Sequence, residues 1–120
     1  MTTTEGTHAP AWFDISSPDA ARARGFYREL LGWPVTVLDD TYALVGTDGG
    51  QPTGGIGQAG PDSPYTGLVV YFPVADLDAA LARAQRLGGR RTLAPRGVPG
   101  GGRMAVLTDP DGNHVGLLGP

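Results

Sequence analysis

Cysteine is absent from the 120 residues, and so is lysine. Without cysteine there is no disulfide, no thiolate metal site and no thiol nucleophile. Without lysine no Schiff base can form through a side-chain amine. No apolar run approaches the roughly 20 residues that cross a bilayer, and the opening MTTTEG lacks the basic start and apolar stretch of a secretion signal. These absences predict a soluble, cytoplasmic protein. Positive charge comes from arginine alone, nine against twelve acidic residues for a net charge of -3, and only Arg90 and Arg91 are adjacent. Phosphate-backbone binding needs a clustered positive face, so neither nucleic acid nor membrane is an expected partner.

What is present is ordinary globular composition, 40% apolar and 18% charged, in a length that suits one domain. The chain reads much the same way twice. Trp12-Phe-Asp-Ile-Ser-Ser-Pro-Asp19 opens a strand and then a helix ending at Leu31-Gly32; Val69-Val-Tyr-Phe-Pro-Val-Ala-Asp76 opens another pair ending at Leu87-Gly88. Each half is too small to bury its own core, which implies one domain of two similar units with a cleft where they meet.

Residues 1–10 are polar and aperiodic and read as a flexible N-terminal arm, followed by a domain over 11–120. Unit one is expected at 11–59, a linker at 60–66 and unit two at 67–119. In unit one a strand spans Ala11 to Ser16, with Phe13 and Ile15 alternating against Trp12, Asp14 and Ser16. A helix starts at Ser17-Pro18-Asp19 and presents Ala23, Phe26, Tyr27, Leu30 and Leu31 as an apolar stripe up to a left-handed turn at Gly32. Strands follow over Pro34 to Leu38, Tyr42 to Thr47 and Pro52 to Gln58, with a turn at Asp48-Gly49-Gly50. Unit two repeats the order with strand 68–74, helix 76–87, and strands near 89–95, 103–108 and 114–118. Arg96 to Gly102 reads as a loop and Asp109-Pro-Asp-Gly112 as a turn. The expected fold is therefore α+β: two tandem βαβββ units forming a curved mixed sheet around a central cleft, with helices on the outer face.

The order of these elements, the helix start Asp76-Leu-Asp-Ala-Ala-Leu81, the segment Phe26-Tyr27 running on to Leu30-Leu-Gly-Trp33, and the closing Gly102-Arg-Met-Ala-Val-Leu-Thr-Asp-Pro-Asp-Gly-Asn113 resemble the vicinal oxygen chelate superfamily. That group contains glyoxalase I, extradiol dioxygenases, fosfomycin-inactivating transferases and bleomycin-resistance proteins. The resemblance covers about residues 11 to 119 and implies the fold more than the activity, because one scaffold there carries many functions. It also implies a homodimer. Its enzymes hold a divalent metal through the first and last strand of each unit. In this chain those positions carry Trp12, Val69 and Gly116, with Gln58 the single donor, fewer than the three or more ligands a divalent site needs. No metal and no cofactor is expected. A substitute set of Asp14, His114 and His8 or Glu5 is the remaining route to zinc.

Alternation assigns Trp12, Asp14, Ser16, Val69, Tyr71, His114, Gly116 and Leu118 to the cleft. Phe13, Ile15, Val70, Phe72, Val115 and Leu117 back onto the helices. An apolar, aromatic cavity with a few polar groups suits a small organic ligand. Trp12 and Tyr71 would stack on it, and Asp14 would pair with a cation or accept a hydrogen bond. Two classes of function follow. One is a metal-free binding protein that sequesters an antibiotic or other natural product. The other is an enzyme, a lyase, isomerase or dioxygenase-like catalyst, working through Asp14 and His114 as base and acid or through a non-standard metal site.

Overall fold

The computed structural model describes residues 8–46, 51–61, 63–98 and 101–120. The turn expected at Asp48-Gly49-Gly50 and the ligand candidate Glu5 lie outside them. The elements run β1 (Trp12–Ser17), α1 (Ala20–Leu31), β2 (Val35–Val37), β3 (Tyr42–Val45), β4 (Gly54–Gln58), β5 (Gly67–Pro73), α2 (Leu77–Arg86), β6 (Arg90–Gly97), β7 (Arg103–Thr108) and β8 (His114–Gly119). The class is α+β, and the order β-α-β-β-β occurs twice. Contacts divide the chain into two compact units, Trp12–Leu68 and a second one joining Met1–Ala11 to Val69–Pro120.

In the Trp12–Leu68 unit the strands lie in the order β2-β3-β4-β1. β1 and β4 are parallel with Ile15 opposite Ile56, and the β2/β3 and β3/β4 pairs are antiparallel. The period-2 alternation of β1 turns Phe13 and Ile15 to the α1 side, where Ile15, Ala23, Val45 and Ile56 form the core with Phe13, Tyr27, Trp33 and Val35 against it. Tyr27 stacks on Trp33 at 5.5 Å between ring centroids, and Phe13 meets Trp33 at 5.4 Å. The N-cap of α1 is Asp19, whose carboxylate accepts from Arg22 N; Ser17 lies just outside and accepts from Asp19 N through its hydroxyl. Gly32 ends the helix at φ 70°, a left-handed turn that glycine adopts without a Cβ penalty.

In the other unit the order is β5-β8-β7-β6, with β5/β8 parallel and the rest antiparallel. Leu77 and Leu81 of α2 are fully buried against Ala105, Leu107 and Leu117, with Phe72, Val74 and Val115 beside them. Asp76 caps α2 by accepting from Ala79 N. Residues before β1 are tied to β5: Ala11 N donates to Tyr71 O, and His8 Nδ1 lies 2.7 Å from Pro73 O. One expectation fails here. β6 continues through Arg96 and Gly97, which pair with Met104 and Arg103, where a loop was expected. The register shifts between Leu93 and Arg96, so Pro95, which has no N–H to give, sits at an irregularity on a strand at the end of its unit's ladder.

Candidate functional site

Asp14 sits in mid β1, on the face turned away from α1. Its Oδ1 accepts a hydrogen bond from the Tyr42 hydroxyl at 2.6 Å and another from Trp12 Nε1 at 3.2 Å. Tyr42 stands two strands away, on β3, and its ring crosses β4 to reach the carboxylate. β4 permits this because Gly55, opposite Asp14, and Gly57, opposite Tyr42, carry no side chains. A Cβ on Gly55 would overlap the Tyr42 hydroxyl, and one on Gly57 would come to 3.3 Å from its ring. Burial first, then the neighbouring Asp14 charge and the hydrogen bond to it, push the Tyr42 hydroxyl well above the ordinary tyrosine range. The phenol therefore keeps its proton and remains a donor. Tyr42 was not among the expected site residues; the available signal was the pair of glycines two apart in β4, which leaves room for a large neighbour on one face.

The other expected residues of this unit have particular surroundings. Trp12 is half-buried with its indole on Asp14, and Ser16 is 4% exposed with its hydroxyl 2.9 Å from that of Ser63. Gln58 lies on the α1 face together with Ile56 and is committed at both ends. Its Oε1 accepts from Ala20 N at 3.0 Å, and its Nε2 donates to Pro18 O at 2.7 Å. The only inherited metal position with a donor atom thus secures the start of α1.

In the other unit, β8 turns Val115 and Leu117 to α2, which leaves His114, Gly116 and Leu118 on the opposite face as the alternation requires. Tyr71 pairs with Gly116 and its ring covers the glycine so closely that a Cβ there would overlap it. Val69 and Tyr71 are each 1% exposed. Both side chains are packed inside the fold. His114 is half-buried and pairs with Thr108 across the β7/β8 ladder.

The superfamily's metal does not fit these residues. Trp12 and Val69 have no donor suited to a divalent ion, Gly116 has no side chain, and Gln58 faces away from Asp14. Among the described residues no three His, Asp or Glu side chains converge.

A model of the Glyoxalase-like domain family matches residues 12–118. The chain belongs to that family. Two anthracycline biosynthesis proteins, DauV of Streptomyces sp. strain C5 and DnrV of Streptomyces peucetius, are each 37% identical to this glyoxalase-like chain over 122 residues. The alignments cover 87% of this chain and 44% of each relative, so the chain spans less than half the length of these relatives. The structure of homoprotocatechuate 2,3-dioxygenase from Brevibacterium fuscum with 3,4-dihydroxyphenylacetate shares the fold at a TM-score of 0.67 and 23% identity, over 92% of this chain and 36% of that one. No helix of the described residues is long and apolar enough to cross a membrane.

Proposed function

We infer that this glyoxalase-like chain is a metal-free binding protein for a flat, polycyclic natural product of the anthracycline kind. The observation that carries this reading is the Trp12–Asp14–Tyr42 cluster, in which one carboxylate is gripped by two aromatic donors on the sheet face away from α1. Trp12 offers a ring for stacking, and the Asp14 charge is fixed in place to attract a cationic group or accept a hydroxyl. The loss of metal-ligating side chains at Trp12, Val69 and Gly116 supports binding over the metal chemistry of the superfamily. The likeness to two anthracycline biosynthesis proteins supports the ligand class.

A second reading rests on the 2.6 Å contact between Tyr42 and Asp14. Here Asp14 would act as a general base on a bound polyketide, with the Tyr42 hydroxyl, which keeps its proton, holding the carboxylate in place. Calorimetric titration with an anthracycline, followed by chromatography of the recovered ligand, tests both. The binding reading requires saturable one-to-one heat and unchanged ligand; conversion of the ligand overturns it in favour of an enzyme, and no heat overturns the ligand class. Asp14→Asn should weaken binding of a cationic anthracycline by about 1 to 3 kcal/mol, the scale of a charge-assisted hydrogen bond. In an enzyme the same change would instead depress turnover by roughly two to four orders of magnitude with binding largely kept.

A further inference from the structure

A depression lies within the Trp12–Leu68 unit, on the helix side of β1. It has a volume of about 390 Å³ and is bounded by Ile15 and Ser17 of β1, by Arg22, Phe26 and Tyr27 of α1, and by Thr66. That volume falls within the roughly 300–1,000 Å³ of ordinary small-molecule sites. Phe26 and Tyr27 make an edge-to-face pair with ring centroids 5.0 Å apart, and Phe26 is 57% exposed. An exposed phenylalanine beside a hollow with an apolar floor is a surface that gains from being covered.

The polar side of the hollow carries one sign of charge. Arg22 stands in the first turn of α1, where a cation opposes the helix dipole, and no acidic residue lies in that turn. Among the described residues its guanidinium has no ion-pair or hydrogen-bond partner. The matching end of α2 differs: Asp78 occupies its first turn and Arg103 pairs with it at 2.8 Å. Ser17 accepts from Asp19 N through its oxygen, which leaves the hydroxyl proton to donate elsewhere. Thr66 lines the same hollow.

We propose that this hollow under α1 is a binding site for an aromatic carboxylate, its ring laid against Phe26 and Tyr27 and its carboxylate on Arg22 with hydroxyl donors from Ser17 and Thr66. The guanidinium fork matches a carboxylate in two hydrogen bonds, and the attraction rests on Arg22 because the Asp19 carboxylate already caps the start of α1. The site is independent of the Trp12–Asp14–Tyr42 face, because Asp14 and Trp12 do not line it.

Naphthoate and its neutral counterpart naphthamide, titrated calorimetrically into the intact chain and into variants, test the proposal. Naphthoate should bind with one-to-one stoichiometry, and naphthamide at least about tenfold more weakly, as loss of a charge-assisted contact requires. Arg22→Gln should weaken naphthoate by about tenfold or more and leave naphthamide unchanged, with Arg22→Lys intermediate. Phe26→Ala should weaken both compounds. Arg22 and Phe26 are exposed, so these variants fold, and Arg90→Gln controls for net charge. No naphthoate binding up to about 10 mM, or equal binding by the Arg22→Gln and Arg90→Gln proteins, overturns the site. Quenching of Trp12 by an anthracycline should persist in Arg22→Gln, which separates this site from the other face.

Discussion

The Tyr42 hydroxyl reaches Asp14 Oδ1 across an intervening strand, at 2.6 Å, over a glycine opposite the aspartate. Removing the hydroxyl in Tyr42→Phe leaves the ring packed on β4 and deletes a hydrogen bond to a charged acceptor, which should cost about 1.5 to 3 kcal/mol in urea denaturation. Gly55→Ala drives a methyl into the space of that hydroxyl and should cost about 1 to 3 kcal/mol by displacing the tyrosine. The double variant Gly55→Ala with Tyr42→Phe should lose less than the sum, since the added methyl already displaces the ring and with it the hydrogen bond that Tyr42→Phe deletes. Additive losses would show that the two positions do not meet.

Gln58 joins the end of β4 to the start of α1 through two hydrogen bonds. Gln58→Ala should lower stability by about 1 to 3 kcal/mol, because Ala20 N and Pro18 O lose their partner. Gln58→Glu, which restores a carboxylate, should also destabilise by removing the donor to Pro18 O, and should gain no metal-dependent rise in Tm. For the unaltered protein, chelator should leave Tm unchanged. Elemental analysis finding about one divalent ion per chain, removable with loss of stability, would contradict this.

Three carboxylates make stability pH-dependent. The hydrogen bond from the Thr41 hydroxyl holds Asp39 below the ordinary aspartate range of 3.8; the Arg103 guanidinium does so for Asp78, and the Asn113 amide for Asp109. Groups with a lowered folded pKa contribute stability that is complete above the unfolded pKa and disappears as pH falls through the folded one. Stability should therefore hold steady from neutrality to roughly pH 5 and decline below it. Asp109→Asn should flatten part of that decline in pH-dependent denaturation, and an unchanged profile would remove Asp109 from the account.

The chain is expected to pair as a homodimer. Leu30 and Leu31 of α1, with Val37 at the end of β2 and Leu38 after it, are each more than half exposed, apolar surface that a second copy could cover. Light scattering at micromolar concentration should give about twice the 12.4 kDa of one chain, and a mass near one chain would contradict it.

The strands and helices were legible because their signals are local. Alternation in β1 separates Phe13 and Ile15 from Trp12 and Asp14, and a glycine at 32 ends a helix for reasons written in its own backbone. The Tyr42 partnership was not legible, since it depends on the register of three strands and on a side chain crossing the middle one. The role of Gln58 was hidden for a related reason: one residue along β4 changes the face, and the strand's many glycines hide which face is which. The hollow under α1 has no motif at all; Ser17, Arg22, Phe26 and Thr66 come together only when the helix lies on the sheet.

The most direct test of the binding account is tryptophan fluorescence during titration with an anthracycline. Trp33 is packed between Phe13 and Tyr27, whereas Trp12 holds Asp14 on the proposed ligand face. Saturable quenching should therefore survive in Trp33→Phe and largely disappear in Trp12→Phe. Quenching that survives Trp12→Phe and disappears in Trp33→Phe, or no quenching by the ligand, would contradict the assignment of this face.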